Sequence, residues 1–285
     1  MAGKFSRSWG LVKASAGVLR SDKSLLAFPL LSGLCSLLVA ASFLIPVGVL
    51  VIGAERAGTR YQHGLPPLAY AALFAFYLVQ YFVIIFFNAA LAGAALQRLR
   101  GEPTSFAEGF AVAKSRAGSI LGYALISATV GLFLRALQER FGLIGRLVIG
   151  FLGLAWTVAT FLVVPVLASQ DVGPVDAVKR SVELLKRTWG ENLIGSAGIG
   201  VVFGLLGFFA LLISAGLVAG AMAMQSALAI VVAVAVVVVG LTFLSLIQAS
   251  LHGIYAAALY RYAEEGQVGG GFDQALLEQA FKPKK

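Results

Sequence analysis

Six long, nearly charge-free blocks govern what this chain can become: Leu25–Ile52, Leu68–Leu96, Ile120–Leu134, Leu147–Ala168, Leu193–Ala221 and Ala227–Leu259. About 20 apolar residues carry a helix across a bilayer, so four of the blocks have length to spare. Leu147–Ala168 is just sufficient, and Ile120–Leu134 reaches only when it is extended past Arg135. The expected fold class is all-α: a polytopic membrane helix bundle of six transmembrane helices arranged as three hairpins. Charged residues make up only 12% of the chain, about half the share of a soluble domain. The N-terminus opens on an amphipathic run and the first apolar block is long enough to stay, so no secretory signal is expected. Cys35 stands alone inside the first span; it reads as a small hydrophobe.

The positive charge fixes an expected orientation. Of the 22 Lys and Arg residues, an even number of spans puts seventeen on one side, and leaves Arg56, Arg60, Arg135, Arg140 and Arg146 on the other. Cytoplasmic loops carry the Lys/Arg excess. Both termini are therefore expected in the cytoplasm. The net charge of +9 is dispersed along membrane edges with no compact domain to carry it. That argues against nucleic acid and toward anionic lipid on the cytoplasmic face, each nearby cation contributing about 1 kcal/mol.

Three charged segments precede the three hairpins and align in register. They are FSRSWGLVKASAG (Phe5–Gly17), FAEGFAVAKSRAG (Phe106–Gly118) and VKRSVELLKRTWG (Val178–Gly190). Apolar residues coincide at the first, fifth and eighth positions. Lysine recurs at the ninth (Lys13, Lys114, Lys186) and glycine at the thirteenth (Gly17, Gly118, Gly190). In the third segment Val178, Val182, Leu185 and Trp189 fall on one helical face, with cations around much of the rest. A helix of this kind lies in the membrane interface. The chain thus reads as one membrane domain over 1–285, with repeat-like units at 5–100, 104–170 and 174–263. An amphipathic, basic tail occupies 268–285. Lys13, Lys114, Lys186, Arg116 and Arg187 are the candidate lipid-headgroup residues.

Chemistry inside the membrane is sparse. No Asp, Glu or Lys lies near the middle of a span, which speaks against a proton relay. Arg135, one turn from Glu139, reads as an anchor at the outer end of span three. Among the remaining polar residues, Asn88, Gln248 and His252 are the costliest to leave in lipid. With Gln80 they are the ligand-lining or pore-lining candidates, the alternative being polar glue between helices. Thr157, Thr160, Ser214 and Ser250 are the lesser ones. Metal sites need several convergent ligands, and two histidines, His63 and His252, are too few. No metal or cofactor is expected. A serine hydrolase pairing Ser196 with His252 is a remote alternative. Gly200/Gly204 and Gly216/Gly220 are expected to let helices approach closely, and Pro29, Pro46 and Pro165 to kink or bound spans one and four.

The stretches FSRSWGLVKAS, DKSLLAFPLLSG, FFNAALAGAALQRL, ATFLVVPVLA and GPVDAVKRSVELLKRTWG resemble an uncharacterised prokaryotic family of six-span membrane proteins, a domain of unknown function. The chain is also loosely similar to membrane domains attached to some glycerophosphodiester phosphodiesterases, which hints at lipid proximity. The resemblance implies a location, the inner or plasma membrane of a prokaryotic cell, and a multi-pass fold, and it carries over no catalytic residue. The function expected from the residues is non-enzymatic: binding or translocating a lipid or small solute between hairpins. The alternative is a membrane scaffold or assembly subunit, and the patterns leave room for a homo-oligomer.

Overall fold

Helix follows helix, with no strand among the described residues. The computed structural model describes residues 13–56, 67–188 and 194–266. A first helix, α1, covers 13–21, and a 3-10 turn at Lys23–Leu26 leads into α2, Ala27–Arg56. Then come α3 (Pro67–Leu99), α4 (Phe106–Ser115), α5 (Ala117–Arg140), α6 (Leu143–Ala159) and α7 (Val163–Ser169). The last three are α8 (Pro174–Thr188), α9 (Ile194–Ala223) and α10 (Ala227–Glu265). Among the described residues, six helical runs are long and apolar enough to cross a membrane: Lys23–Val49, Ala71–Leu99, Ala117–Arg140, Gly145–Ser169, Phe203–Ala223 and Ala227–Glu265. The expected all-α, six-span class is the one found.

Local chemistry sets the boundaries. Ser105 and Glu108 form a reciprocal cap at the start of α4: Ser105 Oγ accepts from the Glu108 N–H at 3.2 Å, and Glu108 Oε2 accepts from the Ser105 N–H at 2.9 Å. Such a pair satisfies two donors that a helix start leaves open. Ser226 caps α10 in the simpler way, accepting from the Ala229 N–H. Gly266 ends α10 at φ +65°, a conformation that glycine adopts without strain. Pro29 lies in the first turn of α2, where its missing N–H costs nothing, and α2 runs on through Pro46.

The chain divides into two compact units. Ala27–Gly93 and Ser105–Leu184 make one, and its buried side chains gather toward the ends of the helices that carry α4 and α8. Phe28 stacks on Phe106 at 4.9 Å, and Phe86 meets Phe110 edge-on at 5.3 Å, so α4 is seated by aromatic contacts with α2 and α3. Gly93 lets α4 approach: a Cβ there would lie 2.9 Å from Val112 Cγ1. Gly122 on α5 does the same for α8, where a Cβ would come 2.8 Å from Pro174 Cγ. At the opposite end, Arg135 donates to Tyr77 Oη at 3.0 Å and pairs with Glu139 at 3.2 Å.

The other unit joins Met1–Leu26, Ala94–Thr104 and Leu185–Lys285. Its core surrounds the last third of α10, where Ser250, Leu251 and every residue from Ile254 to Arg261 are buried. The 3-10 turn packs against α10. At 1.5 Å per residue α10 is about 58 Å long, nearly twice a hydrocarbon core. Its first two thirds expose valines such as Val231, Val234 and Val238, and α9 likewise exposes Phe208, Leu212 and Ile213. Gly204, Gly216 and Gly220 have no atom within 4 Å of a built Cβ. Gly216 and Gly220, a small-residue pair expected to seat a neighbouring helix, therefore remain open, as does Gly204, while the side of Gly200 lies outside the described residues.

Asp22 ties α1 to the loop after α3. Its carboxylate accepts from the Ser24 N–H at 2.9 Å, from Ser24 Oγ at 2.6 Å and from Thr104 Oγ1 at 2.6 Å. Partial burial alone would raise its pKa. The Ser24 and Thr104 hydrogen bonds and the Arg98 charge outweigh that and hold it below the ordinary carboxylate value. A depressed carboxylate stabilises the fold fully above its unfolded pKa of about 4 and loses that contribution as pH falls through the lower folded value. Thermal unfolding in detergent from about pH 7 to about pH 3 should therefore fall more steeply for wild type than for Asp22→Asn. Parallel curves would show that the joint carries no charge-dependent stability.

Candidate functional site

Span four is broken, and the break organises the polar chemistry of its unit. Pro165 has no N–H to give to a carbonyl one turn back, and its ring crowds that carbonyl. The preceding turn tightens in response: Phe161 N–H bonds Val158 C=O at 3.1 Å, and Val163 N–H bonds Thr160 C=O at 3.1 Å. That pattern withdraws the Ala159 carbonyl and the Leu162 N–H from the helical ladder. Both are recovered by one hydroxyl from α8. Ser181 Oγ donates to Ala159 O at 2.7 Å and accepts from Leu162 N at 3.1 Å. Ser181 is fully buried, as is Leu162.

This demand turns α8. Its buried side chains are Ala177, Ser181, Leu184 and Leu185, whereas Val178 and Val182 are half-buried. The apolar face expected at Val178, Val182 and Leu185 is thus rotated by about one residue, since two hydrogen bonds in an apolar setting outweigh the fuller burial of two valines. Lys179, Glu183 and Lys186 stay exposed, and Arg180 pairs with Glu183 at 3.1 Å. On α5 of the same unit, Tyr123 and Ser127, one turn apart, are both buried. Sequence reasoning passed over Ser181, Tyr123 and Ser127. A signal for Ser181 did exist, in its position between Ala177 and Leu184 on one helical stripe.

The lesser polar residues satisfy themselves. Thr157, Thr160, Ser214 and Ser250 each donate to the carbonyl four residues earlier at 2.7 to 2.9 Å, the local solution open to a hydroxyl in lipid. The longer amides have no such recourse. Gln80 Oε1 is buried without a hydrogen-bond partner. It shares α3 with Phe76, which touches Phe43 of α2, and with Tyr77, which takes the bond from Arg135. Asn88, about two turns further along α3, is half-buried and makes no hydrogen bond to a described residue. These two belong to the same unit as the broken span.

Gln248 and His252 belong to the other unit. Both are exposed on α10, and Gln248 makes no hydrogen bond to a described residue. In that unit Ser15 Oγ and Gln97 Oε1 are also buried without partners. Arg261 is buried there too. Its guanidinium donates to the Leu99 carbonyl at the end of α3 and to Glu265, which in turn binds Arg100 at 2.6 Å.

Among the headgroup candidates, Lys13, Lys114 and Lys186 are exposed. Arg116 is drawn into an ion pair with Asp171. The side chains of Arg187 and Ser196, together with Trp9, His63, Trp189, Gly190 and the tail at 268–285, lie outside the described residues. Among the described residues no three His, Cys, Asp or Glu side chains converge on a point where a metal could sit.

No curated protein matches the chain, so the likeness to the membrane domains of glycerophosphodiester phosphodiesterases stays an expectation of the motifs alone. One family model covers residues 68–271, the whole course from α3 to just past α10. The chain belongs to that family, the family of unknown function DUF6159.

Proposed function

We propose that this protein is a non-enzymatic binder of a lipid or small polar solute, which it holds or passes among the spans of the unit Ala27–Gly93 with Ser105–Leu184. The observation that carries this reading is the buried, partnerless oxygen of Gln80. An unmet buried acceptor costs about 1–3 kcal/mol, and hydrocarbon offers no water to relieve it. A ligand hydroxyl or N–H removes the cost. The broken span supports the same reading, since discontinuous helices commonly line solute sites in membrane carriers.

In this reading the basic connections face the cytoplasm, and Lys13, Lys114 and Lys186 meet anionic headgroups there. The three amphipathic segments and their hairpins act as repeated units of one membrane domain. A scaffold role is the second reading, favoured by the open glycines Gly204, Gly216 and Gly220 on α9, which suit a partner helix from the same chain or another.

Gln80→Leu separates the two. Removing an orphan amide should leave thermal stability in detergent equal or raised by about 1 kcal/mol. Lipid retained through purification, measured by native mass spectrometry, and solute flux in proteoliposomes should both fall. Asn88→Leu is expected to move them in the same direction. Unchanged retention and flux in both stable variants would leave the scaffold reading.

A further inference from the structure

We infer that the outward face of α10 is a seat for a glycerophospholipid, with Gln248 and His252 holding the phosphodiester and an acyl chain lying along Val238 and Val234. Four observations converge on this face. Ser245, Gln248 and His252 are all exposed, and their spacing of three and four residues puts them within about 60° of arc on one side of the helix. The buried residues Ser250 and Ile254 lie on the other side, in the core of the unit. Ser245 meets its own need by donating to Leu241 O at 2.8 Å, whereas the Gln248 amide bonds no described residue. His252 is exposed although its chain neighbours Leu251 and Ile254 are buried.

Depth then selects the ligand. Gln248 stands about 20 residues along α10 from Ala227, or about 30 Å, the thickness of the hydrocarbon core. The amide therefore sits where phosphates begin, and the valines of the same stripe sit where chains run. Val234 and Val238 are exposed on that stripe at 44% and 56%, with the half-buried Leu241 between them and Ser245. The stripe is apolar at chain depth and donates hydrogen bonds at headgroup depth. A phospholipid has the complementary profile, a phosphodiester with acceptor oxygens above an acyl chain. A helix from a second copy would have to bring its own polar group to the level of Gln248.

The seat rests on the lipid half of the proposed function but not on Gln80, so the two can fail separately. The test uses the full chain in detergent, titrated with phosphatidylglycerol and with diacylglycerol of the same chains, bound lipid being counted by native mass spectrometry. Wild type should bind phosphatidylglycerol more tightly than diacylglycerol. The double variant Gln248→Leu with His252→Leu should lose about tenfold in phosphatidylglycerol affinity, about 1.4 kcal/mol, and keep its diacylglycerol affinity. Val238→Trp fills the chain track, leaves the polar pair in place and should weaken both lipids. Unchanged affinities in the two variants overturn the inference. So does a wild-type dimer that the double variant converts to monomer, because the face would then be an interface between copies.

Discussion

Ser181→Ala should cost the unit built on span four about 3 kcal/mol, since it strands a buried carbonyl and a buried N–H at about 1–3 kcal/mol each. The hydroxyl is the partner of both Ala159 O and Leu162 N, and no water is at hand in an apolar interior to replace it. The loss should appear as a lower unfolding temperature in detergent. A purely global effect would look the same in that measurement, so hydrogen exchange supplies the local one. The Leu162 amide should exchange faster than its neighbours on α6 relative to wild type. Slow exchange there in the variant would falsify the assignment of Ser181 as the pin of the break. Since Ser181 sits on α8 and the break on span four, the variant also reports whether α8 and the span move together.

Arg261→Met is the second large effect expected, at about 3 kcal/mol, the usual cost of breaking a buried charged network by removing one partner. Arg261 is 8% exposed, and it bridges the Leu99 carbonyl and Glu265. A cation at the C-terminal carbonyls of a helix also complements the helix dipole. Methionine keeps the length and apolar stem, so the measured loss isolates the guanidinium. Arg261→Lys should recover little, because one ammonium lacks the planar fork that reaches both partners. Equal unfolding temperatures for Met, Lys and wild type would show that Arg100 alone suffices to hold Glu265.

Much of the architecture is legible in the residue string. Six spans follow from block length, and the one doubtful block, Ile120–Leu134, extends through Arg135 to Arg140 as expected. The Ser105/Glu108 cap is readable from spacing alone, and Pro165 announces a fault in span four. Asn88 was visible as an expensive amide, and Gln80 as a further polar candidate on the same span. The strings could not show that Ser181 closes that fault, that Gln248 points outward, or that Gly204 and Gly216 meet nothing. They also could not show that Arg116 is taken by Asp171 while Lys114 is left exposed.

The physical reason is the solvent. Water discriminates sharply between apolar and polar segments, so the sequence by itself determined which stretches are spans and where they begin and end. Within the bilayer that discrimination vanishes, because lipid tails are as apolar as leucine. Nothing in a run such as Val231–Val239 marks which side meets lipid and which meets protein. The rotation of each helix about its axis was decided only by tertiary structure, through a few hydrogen bonds such as those of Ser181 and Arg261 and a few close approaches such as Gly93 on Val112.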